Sequence, residues 1–281
     1  MTKHFRAPVA AGLIAAVGVA MAWSSETRVQ SAKPAMPAGD ASEQIVSLPL
    51  SGGKAQRVLI LTPPNPRAAI VMLPGGSGDV GIESGGDIRH DNNFLIRSRG
   101  LWTARGYAVL IPDTIDHANL RGERSGPRYA QLVTDLITYA RSNLAPPALL
   151  PVFLVGTSQG SIAAVNGAAH AATGTLAGVV LTESVSVMGG SHETVFSANP
   201  GQVRVPALVV ANTDDLCDVA PPAMAPQIAA AMTNSPNVEI RMLSGGTTES
   251  RRTCGSRTPH GYYGIEARAV DLISRWIDGR L

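Results

Sequence analysis

The chain has 281 residues, enough for one large α/β domain or two small ones, and its 44% hydrophobic and 16% charged residues exclude a long disordered polypeptide. Its 29 glycines and 20 prolines follow no fixed period, which excludes a fibrous repeat and points to a turn-rich globular body. The net charge of +2 is supplied by Lys3 and Arg6, and no Lys/Arg cluster with interleaved aromatics marks a nucleic-acid surface.

Those two cations open the first predicted element. They precede an apolar and small-residue run from Ala7 to Trp23 that contains Ala20-Met21-Ala22 near its end. This is the pattern of a secretory signal, so residues 1–22 are read as an export signal cleaved after Ala22. The run is just long enough for a marginal membrane anchor, but its Ala/Gly richness and A-x-A ending favour a removed signal. An exported protein, periplasmic or secreted and without stable membrane insertion afterwards, is expected. Residues 23–43 are polar and rich in alanine and proline, a flexible spacer, and the folded domain is assigned to residues 44–281.

Gln44 to Leu50 and Arg57 to Thr62 predict two strands around the turn Ser51-Gly52-Gly53. Ala69 to Leu73 is a short apolar strand running into Pro74-Gly75-Gly76. Strands at Tyr107–Ile111, Val152–Val155, Gly178–Thr182, Ala207–Ala211 and Val238–Leu243 then alternate with helices. The helices are expected around Arg128–Ser142, Ser161–Ala171, Pro222–Met232 and Glu266–Ile277. Several strands are apolar throughout, as a parallel sheet covered by helices on both faces requires. The repeated crossover pattern predicts an open, mostly parallel α/β sheet in a single domain.

The segment Val155-Gly156-Thr157-Ser158-Gln159-Gly160 carries the chemistry. A G-x-S-x-G between an apolar strand and a small-residue helix places Ser158 on a tight strand-to-helix turn that pushes its hydroxyl into the open. A serine hydroxyl needs a base. Of six histidines, His260 lies between the last strand and the last helix, where a base arriving last in chain order would reach Ser158. The acid is expected after the strand Ala207–Ala211, with Asp215 preferred over the adjacent Asp214, whose alternative role is turn formation, and over Asp218. An oxyanion site would pair the backbone N–H of Gln159 with that of Gly76 or Ser77 in the glycine-rich loop after Leu73, Gly76 being preferred. Read alone, those glycines could cradle phosphate, but no P-loop lysine signature accompanies them.

Two cysteines occur, Cys217 just after Asp215 and Cys254 just before His260. In an oxidising compartment they can form one disulfide that ties the acid-bearing loop to the base-bearing loop; the alternative is two separate buried thiols. Asp87, His90 and Asp91 lie near one another without a second set of ligands, so a solvated or loop-bracing role is expected and no metal is assigned. Glu183, after the strand Gly178–Thr182, could touch the site or serve as a structural ion pair or cap. Trp102 and Trp276 fit helix packing.

From about Gln44 to the C-terminus the chain resembles the α/β-hydrolase family, and more loosely its dienelactone-hydrolase-like and small lipase/esterase-like members with little lid. The resemblance implies nucleophile Ser158, acid Asp215 and base His260, an oxyanion hole from Gln159 and the Gly75–Ser77 segment, and no cofactor. It departs from dienelactone hydrolases proper, which use cysteine as nucleophile, so their specific reaction does not carry over. Ser184 to Val203 leaves room for a short cover and no large lid. The expected activity is hydrolysis of a small-molecule carboxylic ester through an acyl-enzyme. A peptidase or amidase of the same fold, or a noncatalytic exported binding protein on this scaffold, are the alternatives. The oligomeric state is left open.

Overall fold

The computed structural model describes residues 1–3, 41–83 and 85–281. Apart from residues 1–3 and 41–43, the segments read as export signal and spacer therefore lie outside the described residues. The chain divides into a unit Met1–Met36, of which only the first three residues are described, and a unit Pro37–Leu281 that contains every described helix and strand. No helix among the described residues is long and apolar enough to cross a membrane.

The two predicted N-terminal strands form a hairpin of β1 (Ser42–Pro49) and β2 (Ala55–Thr62), with Gly53 at φ 76° in the turn that joins them. β1 starts two residues inside the stretch read as spacer. Next come β3 (Ala68–Leu73), β4 (Tyr107–Pro112), β5 (Val152–Thr157), β6 (Gly178–Thr182), β7 (Ala207–Asn212) and β8 (Val238–Leu243). They build one eight-stranded sheet in the order β1-β2-β4-β3-β5-β6-β7-β8. β1 and β2 are antiparallel, β2 meets β4 antiparallel, and every pair from β4 to β8 is parallel.

The helices are α1 (Phe94–Arg97), α2 (Arg99–Thr103), α3 (Pro127–Asn143), α4 (Gln159–His170), α5 (Ala225–Ala231) and α6 (Glu266–Asp278). α3, α4 and α5 cover one face of the sheet, and α1, α2 and α6 cover the other. The period-2 geometry of a strand explains the uninterrupted apolar runs. In β3, Ala69, Val71 and Leu73 join the first core while Ala68, Ile70 and Met72 join the second. Trp102 and Trp276 are buried in the second core, as helix-packing residues. The edge strand β8 carries Glu239 and Arg241, charges that discourage further pairing.

α4 is built of small residues because it lies closer to its neighbours than a larger side chain would permit. A Cβ on Gly160 would come within 1.8 Å of the Leu73 carbonyl oxygen, and one on Gly167 within 2.4 Å of Val133. The helix predicted over Pro222–Met232 is divided into a 3-10 turn, Pro222–Met224, and α5. Pro226 lacks an N–H and is accommodated in the first turn of α5, where that donor has no intrahelical partner anyway.

Candidate active site

In a sheet whose strand order reverses, the crevice beyond the carboxyl ends of the parallel strands is where ligands bind. Ser158 stands there, between β5 and α4, with φ 54° and ψ −123°. A side chain other than glycine rarely adopts this conformation. It is held by a bond from the Ser158 N–H to the Thr182 carbonyl at 2.9 Å, and by Ser161, whose hydroxyl donates to the Ser158 carbonyl at 2.6 Å. Gly156 and Gly160 make the turn sterically feasible, since a Cβ on Gly156 would lie 2.3 Å from the Gly160 carbonyl oxygen. Ser158 is half-buried between buried Thr157 and buried Gln159, so the turn opens at its hydroxyl.

The turn brings that hydroxyl to His260. Ser158 Oγ lies 2.9 Å from His260 Nε2, and His260 Nδ1 lies 2.7 Å from Asp215 Oδ2. Asp215 and His260 are both buried. The Asp215 Oδ1 accepts the Cys217 N–H at 2.8 Å. Asp214 points elsewhere: its carboxylate accepts the Gly245 N–H at 2.7 Å and braces the turn.

His260 occupies a 3-10 turn, Pro259–Gly261, capped by the Thr258 hydroxyl, which accepts the His260 N–H at 3.1 Å. Arg97, at the end of α1, grips this turn. Its guanidinium donates to the carbonyls of Ser256 and Gly261 while its Nε donates to Glu266 at 2.7 Å. From the other side the Asn212 amide donates to the Gly245 and Pro259 carbonyls at 2.9 and 3.1 Å. The Cys217–Cys254 disulfide joins the two loops, with Cα atoms 4.6 Å apart. Such a bridge persists in an oxidising compartment and is compatible with an exported protein.

The glycine-rich loop lies against the serine turn: a Cβ on Gly75 would stand 2.9 Å from Ser158 Cβ and 3.6 Å from the Gln159 nitrogen. The Gly75 carbonyl accepts the Gly78 N–H at 3.2 Å, and the Gly76 carbonyl accepts from Arg124 Nη2 at 3.1 Å. In a trans peptide the N–H points opposite the C=O, so the Gly76 and Ser77 N–H groups face away from those partners. Among the described residues neither they nor the Gln159 N–H has an acceptor. Arg124 is buried and also donates to the Pro74 carbonyl at 3.3 Å. Buried Asp113 fixes the continuation of the loop by accepting the Val80 and Ile82 N–H groups at 2.9 and 2.7 Å.

Behind Asp215 lies Glu183, fully buried, at φ 44°. Oxygens of Glu183 and Asp215 and a ring nitrogen of His260 lie within 4.8 Å of one another. Burial, and then the neighbouring Asp215, hold the Glu183 carboxyl well above the usual carboxylate range. The cluster has metal-ligand residue types, but both His260 nitrogens are engaged with Ser158 and Asp215, which suits proton transfer instead. Cys217, Asp218 and Cys254 also converge, with the two sulfurs bonded to each other and not available as thiolates. Asp87, His90 and Asp91 do not gather as ligands among the described residues; His90 Nδ1 contacts the Asp79 carbonyl at 2.8 Å.

The segment Ser184–Val203 contains two 3-10 turns, Val195–Ala198 and Pro200–Gln202, and is tied to the serine turn by the Gln159 amide, which donates to Ser191 at 3.0 Å. A separate cleft of about 610 Å³, between the β1–β2 hairpin and α3, includes none of Ser158, Asp215 and His260.

Solved structures share this arrangement of elements. A dienelactone hydrolase from Anabaena variabilis aligns over 86% of this chain and 99% of its own, with TM-score 0.59 and 18% identity. An esterase from Pyrococcus furiosus aligns over 85% and 92%, with TM-score 0.58 and 12% identity. The chain has the α/β-hydrolase fold. An acylaminoacyl peptidase from Pyrococcus horikoshii aligns over 86% of this chain and 42% of its own length, with TM-score 0.58 and 9% identity. No protein-family model matches the sequence, and no curated protein matches it.

Around this candidate site, sequence reasoning missed three buried or half-buried side chains. Arg97, Arg124 and Asp113 are single residues in no motif, and each acts on backbone far away in sequence, so no local signal could have found them.

Proposed function

We propose that the protein is a serine hydrolase that cleaves carboxylic esters through an acyl-enzyme. The hydrogen-bonded series Ser158–His260–Asp215 supports this reading above all else. His260 Nε2 takes the Ser158 proton as Oγ attacks the ester carbonyl carbon. Asp215 holds Nδ1 protonated and stabilises the imidazolium that forms. The carbonyl oxygen becomes an oxyanion that receives hydrogen bonds from the Gln159 N–H and from Gly76, with Ser77 as the alternative donor. Collapse expels the alcohol, which leaves with the proton from His260. Water then gives a proton to His260, attacks the acyl carbon and releases the carboxylic acid, and Ser158 recovers its proton.

The same geometry can attack amides, and one structure of this fold is an acylaminoacyl peptidase. A panel of small soluble esters beside their amide analogues separates the readings: ester turnover well above amide turnover is expected, and the reverse order makes the protein an amidase. Ser158→Ala should abolish covalent labelling by a serine-directed phosphonate and lower ester turnover at least ~10³-fold with the fold retained. Unlabelled wild-type protein, correctly folded, would instead mark a binding protein on this scaffold.

A further inference from the structure

Glu183 sits in the Ser158–His260–Asp215 neighbourhood without belonging to that series. It follows β6, and its N–H donates to the Val210 carbonyl of β7 at 3.1 Å. Its side chain is therefore carried in behind Asp215, with no exposed surface. Neither carboxyl oxygen has a hydrogen bond of good geometry among the described residues. The groups facing it are the Asp215 carboxyl, the Tyr262 hydroxyl, the Asn212 backbone and a ring nitrogen of His260. Burying a carboxyl is costly unless it is paired, so space-filling does not account for this residue.

Two carboxylates this close, away from water, cannot both hold charge. Asp215 has the donors that favour an anion, the Cys217 N–H at 2.8 Å and His260 Nδ1 at 2.7 Å. The Tyr262 hydroxyl and the Asn212 N–H face Glu183 without a hydrogen bond of good geometry, and burial and Asp215 outweigh them, so Glu183 keeps its proton. The Tyr262 phenol is likewise kept protonated by burial, and it donates to the Val210 carbonyl at 3.2 Å. The acceptor left for the Glu183 proton is Asp215.

We propose that Glu183 is a positioning residue: its carboxylic acid donates a hydrogen bond to Asp215 from the side opposite the solvent, fixing the rotation of that carboxylate and hence the ring of His260. The inference rests on the serine-hydrolase reading for its effect on turnover. It does not need that reading for its protonation state. Fixing the carboxylate matters because a small misplacement of an orienting group can cost about 100-fold in rate.

Glu183→Gln and Glu183→Leu test it. The Gln variant replaces the acid O–H by an amide N–H without changing the charge of a neutral site. Its kcat should stay within about threefold of wild type. The Leu variant removes the donor at similar size, and its kcat should fall about 10- to 100-fold while KM stays within about threefold. The His260 ring titration, followed by NMR, requires no turnover. With Glu183 neutral, its midpoint is the same in wild type and Glu183→Gln. Loss of a negative charge beside the ring would lower it. A fall of more than about half a unit in the Gln variant overturns the proposal, as does a folded Leu variant with wild-type kcat. Should the Leu variant not fold, the Gln titration still decides. If Ser158→Ala keeps its activity, the enzyme reading fails, and the titration still judges Glu183 separately.

Discussion

Asp214 and Asp215 carry the same carboxyl one residue apart, and their partners separate them. Asp215 faces His260 at 2.7 Å, while Asp214 accepts the Gly245 N–H in the neighbouring turn. Asp215→Asn should therefore lower kcat about 10³- to 10⁴-fold, because the amide stabilises the wrong imidazole tautomer. Asp214→Asn should stay within about tenfold of wild type, since it weakens only a loop brace. Steady-state kinetics on one soluble ester compares them, and equal losses would remove the distinction. The two arginines act at the same scale by ordering backbone. Arg97 grips carbonyls of the His260 turn and Arg124 those of the glycine-rich loop, each across a gap in sequence that no motif spans.

At the scale of elements, the serine turn depends on two close approaches, Gly156 to Gly160 and Gly160 to the Leu73 carbonyl, which dock α4 onto β3 and β5. The loops bearing Asp215 and His260 are joined by the disulfide Cys217–Cys254, which closes a sequence separation of 37. Replacing both cysteines by serine should cost about 2–4 kcal/mol of stability, chiefly by freeing the unfolded chain. Ester turnover should fall with it, because the Asp215–His260 contact then relies on the Asn212 and Arg97 hydrogen bonds. Urea unfolding and turnover under nonreducing conditions measure the two effects. No change in either would leave the bridge without a role in the site.

For the whole molecule, buried Glu183 links stability to pH. In the unfolded chain a glutamate titrates near 4.5, and in the folded protein burial and Asp215 raise that value well above it. Between the two the unfolded chain is ionised while the folded one holds its proton, so stability present below pH 4.5 is lost as pH rises toward the folded value. The slope for one proton reaches about 1.4 kcal/mol per pH unit. Glu183→Gln lacks this slope, and its stability relative to wild type should improve from about pH 5 to about pH 8. Urea melts at both pH values test it, and a constant difference would contradict the linkage.

The order of strands and helices was legible because each apolar run reports its own neighbourhood. β6 and β8 match their predicted ranges, β1 starts two residues earlier and ends one earlier than expected, and the other strands differ from theirs by one or two residues at one end. The turn at Ser158 was legible for the same local reason, a glycine pattern between a strand and a helix. α1 and α2 escaped notice because elements of four and five residues hold too little periodicity to register. Tertiary structure alone brought the ends of β6 and β7 side by side, which set Glu183 behind Asp215 and directed one of two adjacent aspartates at His260. Local sequence encodes which segments bury their faces. Which distant side chains then meet depends on strand order and on loop backbone held by remote donors, and neither leaves a periodic trace in the chain.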